Sequence, residues 1–469
     1  MAELEIIDGI ISDRESPTLE FKNCRGKLSK DFWPTYSAFA NTFGGIIYLG
    51  VEDGTQKAIG VDDPEKIVKE VWDLLNDRKK VSANILSPED ISIIEVDGVP
   101  LVRVHVPRAE RSRRPVYING SMDDGSYKRN GEGDYHCSQA DIAAMLRDAS
   151  EDAQDSVGVD GMMIEDLDRQ TVESFRRRMA SMRPHHPWAS KDDGEFLRLV
   201  GAATGNESDG YTPTLAGLLM FGMDCSIMQH LPNYHLDYLE YMGSGGGWTR
   251  RITTGEGEFP GNIYSFLMEV APRISAANDN PKEIDGMFRV DDTQMMKCQR
   301  ELLVNALVHA DYRGHGGVRA EWHRGWFSVR NPGGLRIPLE MMMGGGFSDP
   351  RNPHIAVMLS LIGLVERTGS GVCFVADECR RRGIGLPEYT ETVDPRTVTV
   401  RLETPPAASS DASPIKAMMA EDGSVTIDDI SNATGMGRSK VMRIVTRMKE
   451  SGEIERIGGT RGRWVVRRR

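Results

Sequence analysis

The sequence has no long apolar run. Its longest, IAVMLSLIGLV at 355–365, falls far short of the ~20 residues that a membrane-spanning helix needs. Cysteine is scarce: six stand at 24, 137, 225, 298, 373 and 379, with no CxxC pair and no disulfide-like spacing. They read as reduced thiols of a cytoplasmic protein. The first residues, MAELEIIDGI, are acidic and carry no secretory signal. No G-x-x-x-x-G-K-[ST] loop occurs, which excludes helicase-type translocation. Positive charge is in deficit too. A net charge of −13 excludes a uniformly basic nucleic-acid binder but leaves local basic patches open. Low-complexity segments and internal repeats are missing.

What is present is a chain of 469 residues with 39% hydrophobic side chains, enough for several cores. We divide it into 1–150, which mixes helix and strand patterns; a connecting region of helices and strands, 151–280; a unit with three chemically marked segments, 281–403; a Pro/Ala/Ser linker, 404–414; and a basic tail, 415–469. The expected fold class is a multidomain α+β protein: an α/β lobe, an α/β sandwich and a small helical unit with a hairpin.

The tail carries three Lys and nine Arg against seven acids over 414–469, the reverse of the chain as a whole. TIDDISNATG predicts a short helix stopped at Gly435. GRSKVMRIVTRMKESG predicts a second, with Val441, Ile444, Val445 and Met448 inward. EIERIGGTRGRWVVRRR predicts strand, Gly turn, strand. This resembles a winged helix-turn-helix, whose second helix enters the major groove while its hairpin touches phosphate. Arg438, Lys440 and Arg443, with Arg461 and Arg463 on the wing, are the candidate contacts. A protein-docking module with a solvated Arg face is the alternative.

In 15–54, SAFANTFGG predicts a helix end, IIYLGV a buried strand and EDG its turn. The run ESPTLEFK…SAFANTFGGIIYLGVEDG, with RPVYINGSMDDGSYKRNG downstream, resembles the Schlafen-type AlbA-like domain over about 13–145. In Schlafen nucleases of this kind, two Glu and a downstream Asp form a metal-dependent RNA-cleaving site. The resemblance places these at Glu15, Glu20 and Asp53, with Lys22 beside them. Three carboxylates would hold Mg²⁺ or Mn²⁺ through oxygen, and the metal would activate water. The plainer alternative is binding without cleavage. Arg108, Arg111, Arg113, Arg114, Lys128 and Arg129 form a candidate phosphate path. Schlafen proteins with two such lobes face them together. One lobe here implies a homodimer or higher homo-oligomer.

ELLVNALVHADYRGHGG (301–317) predicts a helix with Leu302, Leu303, Ala306 and Leu307 on its apolar side. Glu301, Asn305 and His309 recur every four residues as one polar stripe. Two Gly loops follow, VRNPGGL (329–335) and ERTGSGV (366–372). The three together resemble the boxes of the Bergerat-type GHKL ATPase fold. More closely, 290–402 resembles the carboxyl-terminal part of proteins labelled RecG-related regulators. That resemblance implies ATP with Mg²⁺: Asn305 on the metal, Glu301 orienting water, and His309 on phosphate or capping the helix. It also implies Asn331 on the base, Gly333 and Gly334 near base or ribose, and Gly369 and Gly371 near phosphate. Asn331 stands where the pattern has Asp, so the amide would accept the adenine amino group without charge. A degenerate pocket kept as scaffold is the alternative. The expected function is a cytoplasmic, nucleic-acid-binding and ATP-binding transcriptional regulator, with a metal-dependent endonuclease of defence as the rival.

Overall fold

The computed structural model describes residues 6–7, 10–11, 14–242, 247–277, 283–285, 288–290, 294–365, 369–404, 415, 418–419, 424–450, 454–457 and 463–466. Residues 405–414 of the expected linker, all of Arg461 and the side chain of Lys440 lie outside them.

The first lobe is built on a four-stranded sheet. Its strands are β1 (Leu19–Lys22), β2 (Gly45–Leu49), β3 (Ile91–Val96) and β4 (Val99–Val106), in the order β1-β2-β4-β3. Strands β1 and β2 run parallel, with Glu20 opposite Ile47, and the other pairs are antiparallel. Helix α1 (Phe32–Asn41) and helix α2 (Pro64–Leu75) cover one face, burying Phe32, Trp33, Tyr36, Phe39, Ile67 and Val71 against Ile47, Val102 and Val104. The chain returns from α1 into β2 through Gly44 at φ +75°, where a Cβ would come within 2.8 Å of the Arg108 backbone nitrogen. Only glycine takes that conformation and that approach. Hairpin β5–β6 (Tyr127–Asn130, Gly133–His136) packs on α1, and helix α3 (Gln139–Ala149) follows, opened by a reciprocal Ser138–Asp141 capping box.

The middle segment includes helix α4 (Arg169–Met182) and the wholly buried helix α5 (Leu215–Phe221). They share one continuous core with a six-stranded sheet. That sheet holds β7 (Leu236–Tyr241), β8 (Arg250–Thr253), β9 (Val318–His323), β10 (Gly325–Pro332), β11 (Glu388–Val393) and β12 (Arg396–Thr404), ordered β8-β7-β9-β10-β12-β11. Tyr238, Ala320, Val329 and Val400 form one buried rung across it. Helices α6 (Ile263–Ala277), α7 (Gln294–His309), α8 (Pro353–Leu361) and α9 (Gly371–Arg382) contribute to the same core.

The boundary expected at 280 therefore cuts through a sheet. Strands β7 and β8 lie in the segment read as a connector, yet β7 pairs in parallel with β9, 82 positions after it, with Leu236 opposite Val318. Every residue of β7 but the last is buried, so it lacks the alternation that marks a half-exposed strand.

The C-terminal unit comprises α10 (Ile427–Thr434), α11 (Arg438–Glu450) and the hairpin β13–β14 (Ile454–Ile457, Arg463–Val466). Val441, Ile444, Val445 and Met448 enter a core with Ile430, Ile454 and Trp464. Gly435 ends α10 in the left-handed conformation, φ +67°.

Candidate functional site

Helix α7 turns its apolar side into the sheet and its polar stripe outward. Leu302, Leu303 and Leu307 are buried, while Glu301, Asn305 and His309 are half-buried and line a cavity of about 230 Å³. Asn331 at the end of β10, Gly334, Gly369 and Gly371 line the same cavity. The Asn305 amide donates to Glu301 Oε1 at 3.2 Å. A Cβ on Gly371 would lie 1.8 Å from that oxygen, so a side chain there would have to displace the Glu301 carboxylate. Gly369 takes φ +68° against the Phe347 backbone. Asn331 donates through Nδ2 to Pro332 O at 3.0 Å, which leaves its carbonyl oxygen as an acceptor. Burial, followed by the cations of Arg351 and Arg336, pushes the His309 imidazole down to about 4, so it is neutral at pH 7.

One glycine behaves differently from expectation. Gly333 is not among the residues lining the cavity. Its φ is +94°, and a Cβ would meet Arg351 Nη1 at 2.6 Å. Gly334 has a second neighbour outside the cavity, Arg396 Nε, at 2.7 Å from such a Cβ. The pair of glycines makes room for two guanidinium groups.

In the first lobe, Glu20 is buried on β1. Its carboxylate takes Arg129 Nη2 at 2.6 Å and also the Lys22 ammonium. Glu15 accepts the Phe21 N–H at 3.0 Å. Its carboxyl is raised by burial and then by the nearby Glu20 and Asp53 charges, with the Phe21 bond acting against them. Asp53 is exposed in the turn after β2. Among the described residues, no three acids, histidines or cysteines come together as a metal-ligand set.

Residues 15–138 match the family model Schlafen, AlbA_2. The first lobe is a Schlafen AlbA_2 domain. Residues 322–401 match the model of the putative ATP-dependent DNA helicase recG C-terminal domain, and 143–237 match a domain of unknown function. No curated protein matches the chain. Among solved structures, the DIP2311 protein of Corynebacterium diphtheriae aligns over 98% of this chain and 94% of its own at 18% identity, with a TM-score of 0.42. The N-terminal domain of a putative ATP-dependent DNA helicase RecG-related protein from Nitrosomonas europaea aligns over 27% of this chain and 86% of its own at 26% identity, with a TM-score of 0.21. No described helix is long and apolar enough to cross a membrane.

The basic path expected on the AlbA_2 domain is corrected by the structure. Most of its cations are spent inside the protein. Arg108 holds Glu391 through both terminal nitrogens, at 2.6 and 3.1 Å, and Leu335 O at 3.1 Å. Arg111 holds Asp349 at 2.6 Å and the carbonyls of Asp148 and Ser150. Arg114 is 4% exposed, and Arg129 is 1% exposed between Glu20 and Asp134. Lys128 is held by Asp141 at 2.8 Å and Asp394 at 3.3 Å. Arg113 alone of the six is open to solvent.

These contacts form a seam between the AlbA_2 domain and the six-stranded unit, and sequence reasoning missed its other half. Arg351, 2% exposed, clasps Asp148 of α3 at 2.9 and 3.1 Å, and donates to the carbonyls of His309 and Gly334. Arg147 reaches Asp311 at 2.8 Å, and Asp155 holds the His354 ring at 3.0 Å. Asp349 lines the cavity while held by Arg111 and Arg336. The signal was present in SDPRNPH (348–354), where two prolines bracket an Arg-Asn pair.

In the C-terminal unit, Arg443 and Arg463 are exposed, and Arg438 is an exposed partner of Asp428 at 2.6 Å. Ion pairs this open to water contribute little, so Arg438 remains available to a phosphate.

Proposed function

We propose that this chain is an ATP-binding regulator of nucleic acid, with the α7 cavity as the nucleotide site. The observation that carries the reading is the polar stripe. Glu301, Asn305 and His309 face one cavity, and Gly371 at the start of α9 lies against Glu301. Those residues fit a nucleotide with its metal. Asn305 would hold Mg²⁺, Asn331 would accept an exocyclic amine of the base through its carbonyl oxygen, and the backbone at Gly369 and Gly371 would meet phosphate. The bound metal would neutralise phosphate charge. Glu301 would orient water.

Nucleic acid is assigned to the AlbA_2 domain and to the C-terminal unit, whose two helices and hairpin support a winged helix reading, with α11 in the major groove. The seam joins cavity and lobe structurally, since Asp349 lines the one and is held by Arg111 of the other. Titration calorimetry with ATP-Mg²⁺ tests the pocket: micromolar binding to the wild type, lost in Asn305→Ala, supports it. Equal heats for the two proteins reject it.

A nuclease is the second reading. Glu15, Glu20 and Asp53 do not come together as a metal-ligand set among the described residues, so it rests on the resemblance to Schlafen nucleases. Glu20 holds buried Arg129, so its removal disturbs the fold. Exposed Asp53 is the cleaner probe. Cleavage of RNA with Mn²⁺ that disappears in Asp53→Asn would establish that activity.

A further inference from the structure

The seam holds more positive than negative charge. Around α3 and the Gly333–Gly334 turn, Arg114 and Arg396 lie among further guanidinium groups and feel the carboxylates of Asp148 and Glu391. Both acids are already used. Arg351 takes Asp148 with two nitrogens, and Arg108 takes Glu391, which also accepts the Leu335 N–H at 2.8 Å. Arg114 is left over. It is 4% exposed, and its Nε and Nη1 have no hydrogen-bond partner among the described residues. Arg396 lies beside Gly334, where a Cβ would come within 2.7 Å of its Nε. Burial, then Arg108, weakens the hold of both Arg114 and Arg396 on their protons. Uncompensated buried cations are strongly unfavourable, and native proteins satisfy such groups with a counter-ion.

A second cavity, of about 30 Å³, opens at this place. Its cations are Arg108, Lys128 and Arg396, and its acids, Asp141 and Glu391, are the paired partners of Lys128 and Arg108. It is separate from the α7 cavity and has room for a phosphoryl-sized group but not for a nucleoside.

We propose that this seam is an oxyanion site that takes a phosphate group, with Arg396 as its principal contact and Arg114 supplying the unmatched charge behind it. A planar guanidinium is suited to such a ligand by geometry as well as charge. Two sources present the same chemistry: free inorganic phosphate, and the terminal phosphate of a nucleic acid strand. A bound anion would tie the AlbA_2 domain to the sheet edge at β11–β12.

The test is thermal unfolding of the full chain against inorganic phosphate, with chloride matching the ionic strength. The expected result is a saturable rise in Tm of a few degrees above the chloride control. Arg396→Met should abolish the rise while leaving the Tm without phosphate unchanged or higher, because it removes a half-buried cation from a site crowded with other guanidinium groups. Arg114→Met, the second variant, should weaken it at least tenfold in phosphate concentration. Asn305→Ala should keep it, which separates this site from the nucleotide pocket. Comparing 5′-phosphorylated with 5′-hydroxyl oligonucleotides identifies the source. An Arg396-dependent preference for the phosphorylated strand assigns the site to nucleic acid ends, whereas equal behaviour with a retained phosphate effect assigns it to the free anion. No rise above chloride, or a full rise in both arginine variants, overturns the proposal.

Discussion

A single carboxamide, Asn305, links the cavity's two candidate tasks. It donates to Glu301 in the structure and is the residue we propose to meet a metal. Glu301→Gln should therefore leave nucleotide affinity within about threefold while removing any turnover, measured as phosphate release under single-turnover conditions. Gly371→Ala should do the opposite. With 1.8 Å between the new methyl and Glu301 Oε1, either Glu301 or the start of α9 must move, and binding should fall at least tenfold by calorimetry. His309 makes a pH prediction. Its ordinary value is 6.5 and its folded value about 4, so the unfolded chain takes up the proton first. Stability contributed by the neutral ring is complete above pH 6.5 and declines as pH falls toward 4. Asp148 works lower on the scale. Burial opposes its ionisation, but Arg351 holds the carboxyl at about 2, so its contribution is lost between about 3.8 and 2. Urea titrations at stepped pH should show the first decline vanish in His309→Gln.

At the scale of elements, the seam and the C-terminal hairpin unit give separate tests. Arg351→Ala strands Asp148 in the interior. Loss of one partner of a buried pair costs about 3–5 kcal/mol, which chemical denaturation would read directly. Arg443→Ala should leave stability unchanged but weaken DNA binding and reduce the salt slope by about one, measured by anisotropy at several salt concentrations. Legibility in the sequence follows the same division. Helix α7 was readable because its polar stripe breaks an apolar pattern at fixed spacing, and α11 because Val441, Ile444, Val445 and Met448 keep helical register. The Gly44 turn was readable from SAFANTFGG. The seam was not. A run of arginines looks the same whether water or a carboxylate from 200 residues away stands opposite, and Arg108 meets Glu391 at a separation of 283 positions. Strand β7 failed for a related reason: its parallel partner lies beyond a Gly-rich loop and two helices, and burial on both faces erases period-two alternation.

For the molecule as a whole, the question is whether ligand at one end is felt at the other. Asp349 faces the α7 cavity and is held by Arg111 of the AlbA_2 domain. If ATP-Mg²⁺ favours one setting of that contact, DNA affinity must change with nucleotide, and nucleotide affinity with DNA by the same factor. We expect a change of 5-fold or more, reduced in Arg111→Ala. Identical DNA affinity with and without ATP-Mg²⁺ would separate the two halves functionally.

The seam's charges are also arranged reciprocally. Arg108, Arg111 and Arg147 on one side meet Glu391, Asp349 and Asp311 on the other, while Asp148 reaches back to Arg351. Such a pattern works as a code for a particular mate. If a protease nicked the backbone at the exposed Glu151–Asp152 bond, the fragments should stay associated. Co-expressed as two polypeptides, they should assemble unaided, giving a natural split protein whose reunion reports on every substitution along the join.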